Sequence, residues 1–339
     1  MSRRTVTLIV GVLVLIALAV GGAQLPVQYA AEAPGPTFNT LGSANGQQVI
    51  AISGRTPAKT SGNLNMTTVS VYDHLDLLSA LRGWFASDQS VVPREVLFPP
   101  NETSTQIQQQ NTQEFTSSQD SAIAAALGKL GYPNKIVVVK LQKGSPAAKR
   151  LAPGDTIDRI NGTSVSSVAN LTANLKKFSP GTPLTVTSTR NGHARTVRIV
   201  STKAPDRSGA ALGVFVSYQR VAPFKVSIRL ADVGGPSAGL MFTLGILDKV
   251  GKDNLTDGKF IAGTGTIDPN GKVGAIGGIP LKMIAARRAG ATVFLVPAEN
   301  CAEAAGHDPA GLRLIKVTSL DSALSALHTL HTGGSPPRC

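Results

Sequence analysis

From Thr5 to Val27 the chain reads TVTLIVGVLVLIALAVGGAQLPV, without one charged residue. At about 1.5 Å per helical residue, such a run crosses the roughly 30 Å hydrocarbon layer of a bilayer. Everything after it must therefore fold either tethered to a membrane or behind a removed leader. Arg3 and Arg4 precede the run, and basic residues stay on the cytoplasmic side, so the N-terminus is expected inside and the rest outside. The rival is a cleaved secretory leader, whose apolar stretch ordinarily spans about 7–15 residues, shorter than this one. Both readings put the bulk of the chain outside the cytoplasm, and the first makes it a single-pass protein of the cell membrane.

The 339 residues exceed one ordinary domain of ~150, so two or more are expected. Formal net charge is +13, yet no Lys/Arg run is longer than two and aromatics make up 4%. That basicity is dispersed over the surface, and no nucleic-acid partner is expected. The two cysteines, Cys301 and Cys339, form no metal pair and no disulfide framework. In an oxidising compartment they can bridge the tail to the last domain, and two free thiols are the other reading.

After a Pro/Gly-rich exit, AEAPGPTFNTLG, the segment to about 120 alternates strand-like and helix-like patterns, among them NLNMTTVSV and HLDLLSALRGWFAS. From about 132 a second unit begins with KIVVVKLQ and the turn-rich KGSPAAKRLAPGDTIDRINGTSV. An amphipathic helix in SSVANLTANLKKFSPG and a hairpin about Asn191-Gly192 follow. Gly154-Asp155 and Asn161-Gly162 supply turns, and Ile157 and Ile160 face a core. These words resemble a PDZ domain of the kind attached to bacterial envelope proteases. PDZ domains take an extended peptide as an added strand and often hold its C-terminal carboxylate. By that resemblance the receiving edge is expected at Ile136, Val137, Val138 and Val139, after the loop GYPNK.

Beyond STKAPDRSGA, strands alternate with helices, which argues an α/β domain. Within it lies DVGGPSAGLM. Pro236 suits a first helical position, and Gly234 and Gly235 permit an unusual backbone ahead of it. Ser237 is thereby expected in the first turn, where unpaired N–H groups and the positive helix end collect beside Gly235, Pro236 and Ala238, fit to hold an oxyanion. A serine needs a base. The histidines, His74, His193, His307, His328 and His331, have no local setting that recommends them. A lysine serves if burial keeps it neutral; Lys282 lies among Ile279, Leu281, Met283 and Ile284, at a helix start.

GGPSAG, then AGTG, then IGGIPLK, with Lys282 45 residues after Ser237, resemble the proteolytic domain of the Lon family over roughly 220–330. The resemblance implies Ser237 as nucleophile, Lys282 as general base and Thr264 as the hydroxyl that hydrogen-bonds the lysine. It departs at Gly234 and Thr266, where Lon proteins carry acidic residues. No P-loop is present: GTIDPNGKV has five residues between its glycines and valine after its lysine. Anchor, PDZ unit and Lon-like unit together resemble the membrane-anchored, ATP-independent PDZ–Lon-like proteases of Gram-positive envelopes. The expected fold is thus an α/β (α+β) Lon-type domain plus a PDZ domain and one transmembrane helix. Its divisions are 1–34 anchor and exit, 35–120 strands and helices, 121–204 PDZ, 205–332 Lon-like and 333–339 tail. Residues 35–120 either complete the Lon-like sheet, with the PDZ unit inserted, or stand as a small domain. The expected activity is a serine endopeptidase acting on unfolded proteins or peptides, without metal, cofactor or nucleotide, in a homo-oligomer that analogy makes a hexamer. Its rivals are a non-catalytic PDZ adaptor and a histidine-based hydrolase.

Overall fold

The computed structural model describes residues 3–23, 25–204, 208–231 and 233–339. The expected division at 205 falls outside them. Along the chain run α1 (Arg3–Ala23), β1 (Tyr29–Asn39), β2 (Asn63–Tyr72), α2 (Leu77–Phe85), β3 (Ser90–Pro93) and α3 (Ser104–Lys129). Next come β4 (Asn134–Leu141), β5 (Thr156–Ile160), α4 (Val168–Lys176), β6 (Pro183–Arg190), β7 (His193–Val200) and β8 (Val214–Arg220). Last are α5 (Gly239–Val250), β9 (Phe260–Gly263), α6 (Ile279–Arg288), β10 (Val293–Pro297), β11 (Arg313–Val317) and α7 (Leu320–His331). They form two compact units: one of Met1–Ala51, Pro57–Ala125 and Val226–Cys339, the other of Ile52–Thr56 and Ala126–Lys225.

In the first unit a six-stranded sheet runs β11-β10-β9-β2-β1-β3. The strands β2, β9, β10 and β11 are parallel, while β1 pairs antiparallel with β2 and β3. Strands from before and after the other unit therefore share one sheet. The parallel strands are covered on both faces, which is why FIAG and VFLVP read as apolar runs rather than as alternations. Helix α5, GLMFTLGILDKV, is buried on every side, as a helix apolar all round must be. Burial of each large apolar side chain here contributes about 1.5–3 kcal/mol. Two charges enter this core at the end of α5, and each is met. Lys249 donates to Gln48 Oε1 (2.8 Å) and the Ile50 carbonyl (2.9 Å), and Asp248 accepts from the Leu255 N–H (2.8 Å).

The second unit is an antiparallel sheet in the order β7-β6-β5-β4-β8 over a core that includes Ile136, Val138, Ile157, Ile160, Leu171, Leu175, Leu184 and Ile199. Asn191 and Gly192 both take positive φ (49° and 83°), as a two-residue hairpin turn demands. Asp155, 1% exposed in its side chain, is held by a two-pronged ion pair from Arg190 (2.6 and 2.7 Å), and this pairing holds its carboxyl below the usual carboxylate range against burial.

One expectation for this unit is corrected. Ile136, Val137 and Val138 were expected on an open edge, but β4 is an interior strand: β5 pairs on one side and β8 on the other, with Val216 opposite Val138 and Tyr218 opposite Ile136. The run reads apolar because Ile136 and Val138 face the core of the unit, and the edge strands of this sheet are β7 and β8.

Candidate active site

The turn that carries Ser237 is tied down from two directions. From α3, the Asn111 carbonyl accepts the Gly235 N–H (3.0 Å) and the Ser118 hydroxyl donates to the Pro236 carbonyl (2.9 Å). From the chain just past β9, the Gly265 N–H (2.8 Å) and the Thr264 hydroxyl (3.0 Å) both donate to the Ser237 carbonyl, while the Leu240 N–H donates to the Gly265 carbonyl (3.1 Å). Gly235 sits at φ 79°, a conformation a side chain would strain. A Cβ on Gly239 would lie 3.0 Å from Ile267 and from Ser118, so a side chain there would crowd both. Because the Ser237 carbonyl bonds sideways to Thr264 and Gly265, it cannot take the Met241 N–H. The helix accordingly starts at Gly239, three residues after the expected Pro236. Ser237 thus stands in the turn ahead of the helix, partly exposed, at the carboxyl end of the parallel strands, where open α/β sheets place their ligands.

Lys282 lies in the opening turns of α6, which begins after Gly278 in a left-handed conformation. Gly278 abuts Val69, so α6 starts at the same end of the sheet, where β2 runs on past Gly263. Lys282 is 5% exposed, and its amine has no hydrogen-bond partner among the described residues. Burial lowers its pKa from 10.5 to about 8, and the carboxylate of Glu32 on β1 opposes that fall. Glu32 is in turn raised by burial and lowered by Lys282. Nothing in AEAPGP marked Glu32 in advance. The Thr264 hydroxyl, expected on Lys282, gives its proton to the Ser237 carbonyl, so toward the lysine it can only accept.

Two cavities flank these groups. One of about 190 Å³ lies beside Pro236, lined by Glu114, Ser117, Ser118, Ser121, Thr266 and Ile267. The other, about 570 Å³, is lined by Glu32, Gly278, Pro280, Leu281, Glu303 and His307, among others. No histidine lines the first. His74 and His331 pair with Asp73 and Asp257, and His307 contacts the Glu303 carbonyl.

Comparison with known families gives two matches. Residues 107–200 match the PDZ domain, and residues 231–327 match the Lon protease (S16) C-terminal proteolytic domain. The second span covers Ser237, Thr264 and Lys282 together. The chain combines a PDZ domain with a Lon-type proteolytic domain. That pairing supports a serine peptidase with PDZ-based substrate recognition. Solved structures similar to the chain include the PDZ domain of an SdrC-like protein from Listeria monocytogenes, 18% identical, covering 24% of this chain and 86% of that one, with a TM-score of 0.23. The PDZ domain of an SdrC-like protein from Listeria innocua is 20% identical over 24% and 92%, TM-score 0.23. A protein from Geobacillus thermodenitrificans is 24% identical over 24% and 94%, TM-score 0.22.

In the second unit the edge strand β8, beyond the PDZ-matched residues, follows the loop Gly209–Gly213, and Phe215 and Tyr218 on it are exposed. The Val221 N–H bonds inward to the Pro133 carbonyl, so strand alternation turns the N–H groups of Val216, Tyr218 and Arg220 to the open side. In the Lon-type domain Cys301 and Cys339 form a disulfide. The tail before Cys339 lies along β11, with Ile315 bridged to Arg338 and the Lys316 N–H on the Pro337 carbonyl (3.0 Å).

Proposed function

We propose that the protein is an ATP-independent serine endopeptidase in which Ser237 is the nucleophile and Lys282 the general base. The observation that carries this reading is a nearly dry lysine amine without a hydrogen-bond partner among the described residues. It starts its helix at the sheet end where Ser237 is held. Neutral Lys282 takes the Ser237 Oγ proton as Oγ bonds to the substrate carbonyl carbon, whose oxygen becomes the oxyanion. Of the four residues from Gly235 to Ala238, Gly235 has committed its N–H to Asn111 and Pro236 has none, which leaves the N–H groups of Ser237 and Ala238 for that oxyanion. Protonated Lys282 then gives its proton to the leaving amine as the C–N bond breaks. Water, deprotonated by the same lysine, releases the acyl group.

With no motor to unfold substrates, the enzyme cuts unfolded or exposed segments. An extended peptide adds to β8 through the outward N–H groups of Val216, Tyr218 and Arg220. Helix α1, 21 residues long with a mean hydropathy of 2.7 over its most apolar 18, anchors the chain, and Arg3 and Arg4 keep its start in the cytoplasm. The disulfide suits an oxidising compartment beyond the membrane. The test is digestion of casein without ATP: the intact chain cleaves, and Ser237→Ala and Lys282→Ala do not. Full activity in Lys282→Ala would overturn the dyad.

A further inference from the structure

Helix α2 is built inside out. Its inward residues are small: Ala80 is 1% exposed, and Gly83 packs so closely on β3 that a Cβ would come within 2.6 Å of Val91. Its large apolar residues point away from the protein. Leu77, Leu78 and Leu81 are exposed, Trp84 is 53% exposed and Phe85 89%. A helix that packs on a core shows the reverse order, and an apolar surface of this kind marks an interaction site.

The backbone says what lies opposite. Helix α1 ends at Ala23, and the chain just beyond it is laddered to the start of α2. The Leu77 N–H donates to the Leu25 carbonyl (3.0 Å), the Val27 N–H donates to the Leu75 carbonyl (2.9 Å), and Pro26 bridges Asp76. The step from Ala23 to Leu25 can span at most about 7 Å, and the interfacial layer on each side of the hydrocarbon is of similar depth. A nine-residue helix fixed there by hydrogen bonds cannot leave that layer while α1 spans the bilayer. Trp84 also rests edge-on against Tyr29 (5.1 Å), an aromatic pair of the kind that favours the membrane boundary.

We infer that α2 lies flat in the headgroup–acyl boundary of the membrane crossed by α1, with Leu77, Leu78, Leu81, Trp84 and Phe85 in lipid. This rests on the reading of α1 as an anchor. It makes α2 a second membrane contact that fixes the orientation of the proteolytic unit on the surface instead of leaving it on a free tether. Arg82, exposed on the same helix, is placed for anionic headgroups.

The test uses the full chain in vesicles of phosphatidylcholine and phosphatidylglycerol, with and without brominated acyl chains. Trp84 is the one tryptophan, so its fluorescence reads α2, while flotation with the vesicles reads α1. The inference expects quenching of Trp84 by bromines near the carbonyl end of the chains, weaker quenching by bromines near the chain terminus, and protection from iodide. Leu81→Glu with Phe85→Glu should abolish both effects, leaving flotation and casein cleavage unchanged. Vesicle-bound protein whose Trp84 is open to iodide and blind to bromine overturns the inference. So does shielding from both quenchers, which would put protein, such as a second copy, on this face. Failure to float overturns the anchor and the inference together.

Discussion

Substitution of Lys282 by Met tests the dryness of the site apart from its chemistry. The lysine falls from 10.5 unfolded to about 8 folded, and at 1.36 kcal/mol per pH unit that difference corresponds to about 3 kcal/mol. The sign follows from proton counting. Below pH 8 both states hold the proton, and the folded state carries a buried ammonium at the full penalty. Between 8 and 10.5 the unfolded chain holds a proton the folded one has released, so native stability rises with pH. Above 10.5 the penalty is gone. Met is close in length and carries no charge, so Lys282→Met should stabilise the protein by about 3 kcal/mol at pH 7, with the gain fading above pH 8. Loss of the amine also leaves Glu32 without its cation, which reduces the gain; Lys282→Met in a Glu32→Gln background removes that offset. Urea unfolding in detergent, followed by Trp84 in the same compact unit, measures both the gain and its pH dependence. A variant no more stable than the parent at pH 7, or a gain equal at pH 7 and above 10.5, would show that the amine reaches water and would remove the physical basis for a lysine base.

Cleavage should rise with pH through a midpoint at about 8. Glu32 is the anion that keeps Lys282 charged, so Glu32→Gln should move this midpoint to lower pH; an unmoved midpoint would separate Glu32 from the amine. Cys339→Ser opens a loop with a sequence separation of 38, for which chain entropy gives a loss of about 4 kcal/mol, read as a lower urea midpoint under non-reducing conditions. Tyr218→Pro removes an outward N–H from β8 without cutting its ladder to β4. It should raise KM for extended substrates at unchanged kcat, and an unchanged KM would place peptide docking elsewhere.

Local chemistry was legible in the letters. Asn191-Gly192 demanded a hairpin, the all-round apolar α5 demanded burial, and Lys282 among apolar neighbours foretold a depressed pKa. Pairings were not legible, because a strand's own residues do not name its neighbours. KIVVVK reads the same at an edge covered by helices as between two strands, and only the register with Val214–Arg220 decides which it is. The helix start was misplaced for a related reason. Pro236 is a good local signal for a first helical residue, but Thr264 and Gly265 lie about 27 residues away in sequence and take the carbonyl that helix continuation would need.

The same blindness to distant partners hid Glu32, and here it bears on mechanism. Sequence places Lys282 beside a helix start and apolar side chains, each of which lowers its pKa, and so points to a fully neutral base. The fold sets a carboxylate from β1 against those effects. The two demands on a base conflict: a lower pKa raises the share of neutral lysine but weakens that lysine as an acceptor of the serine proton. A lysine near 8 is charged about nine times in ten at pH 7, yet in the proposed dyad its neutral fraction would stay basic enough to accept the Ser237 proton, and its protonated form acidic enough to return that proton to the leaving amine. In the proposed dyad Glu32 is therefore a positioning charge that trades the population of the active form for its strength. A peptidase arranged in this way should gain activity as its surroundings turn alkaline, with a midpoint set first by burial of the lysine and then adjusted by a carboxylate some 250 positions away in sequence.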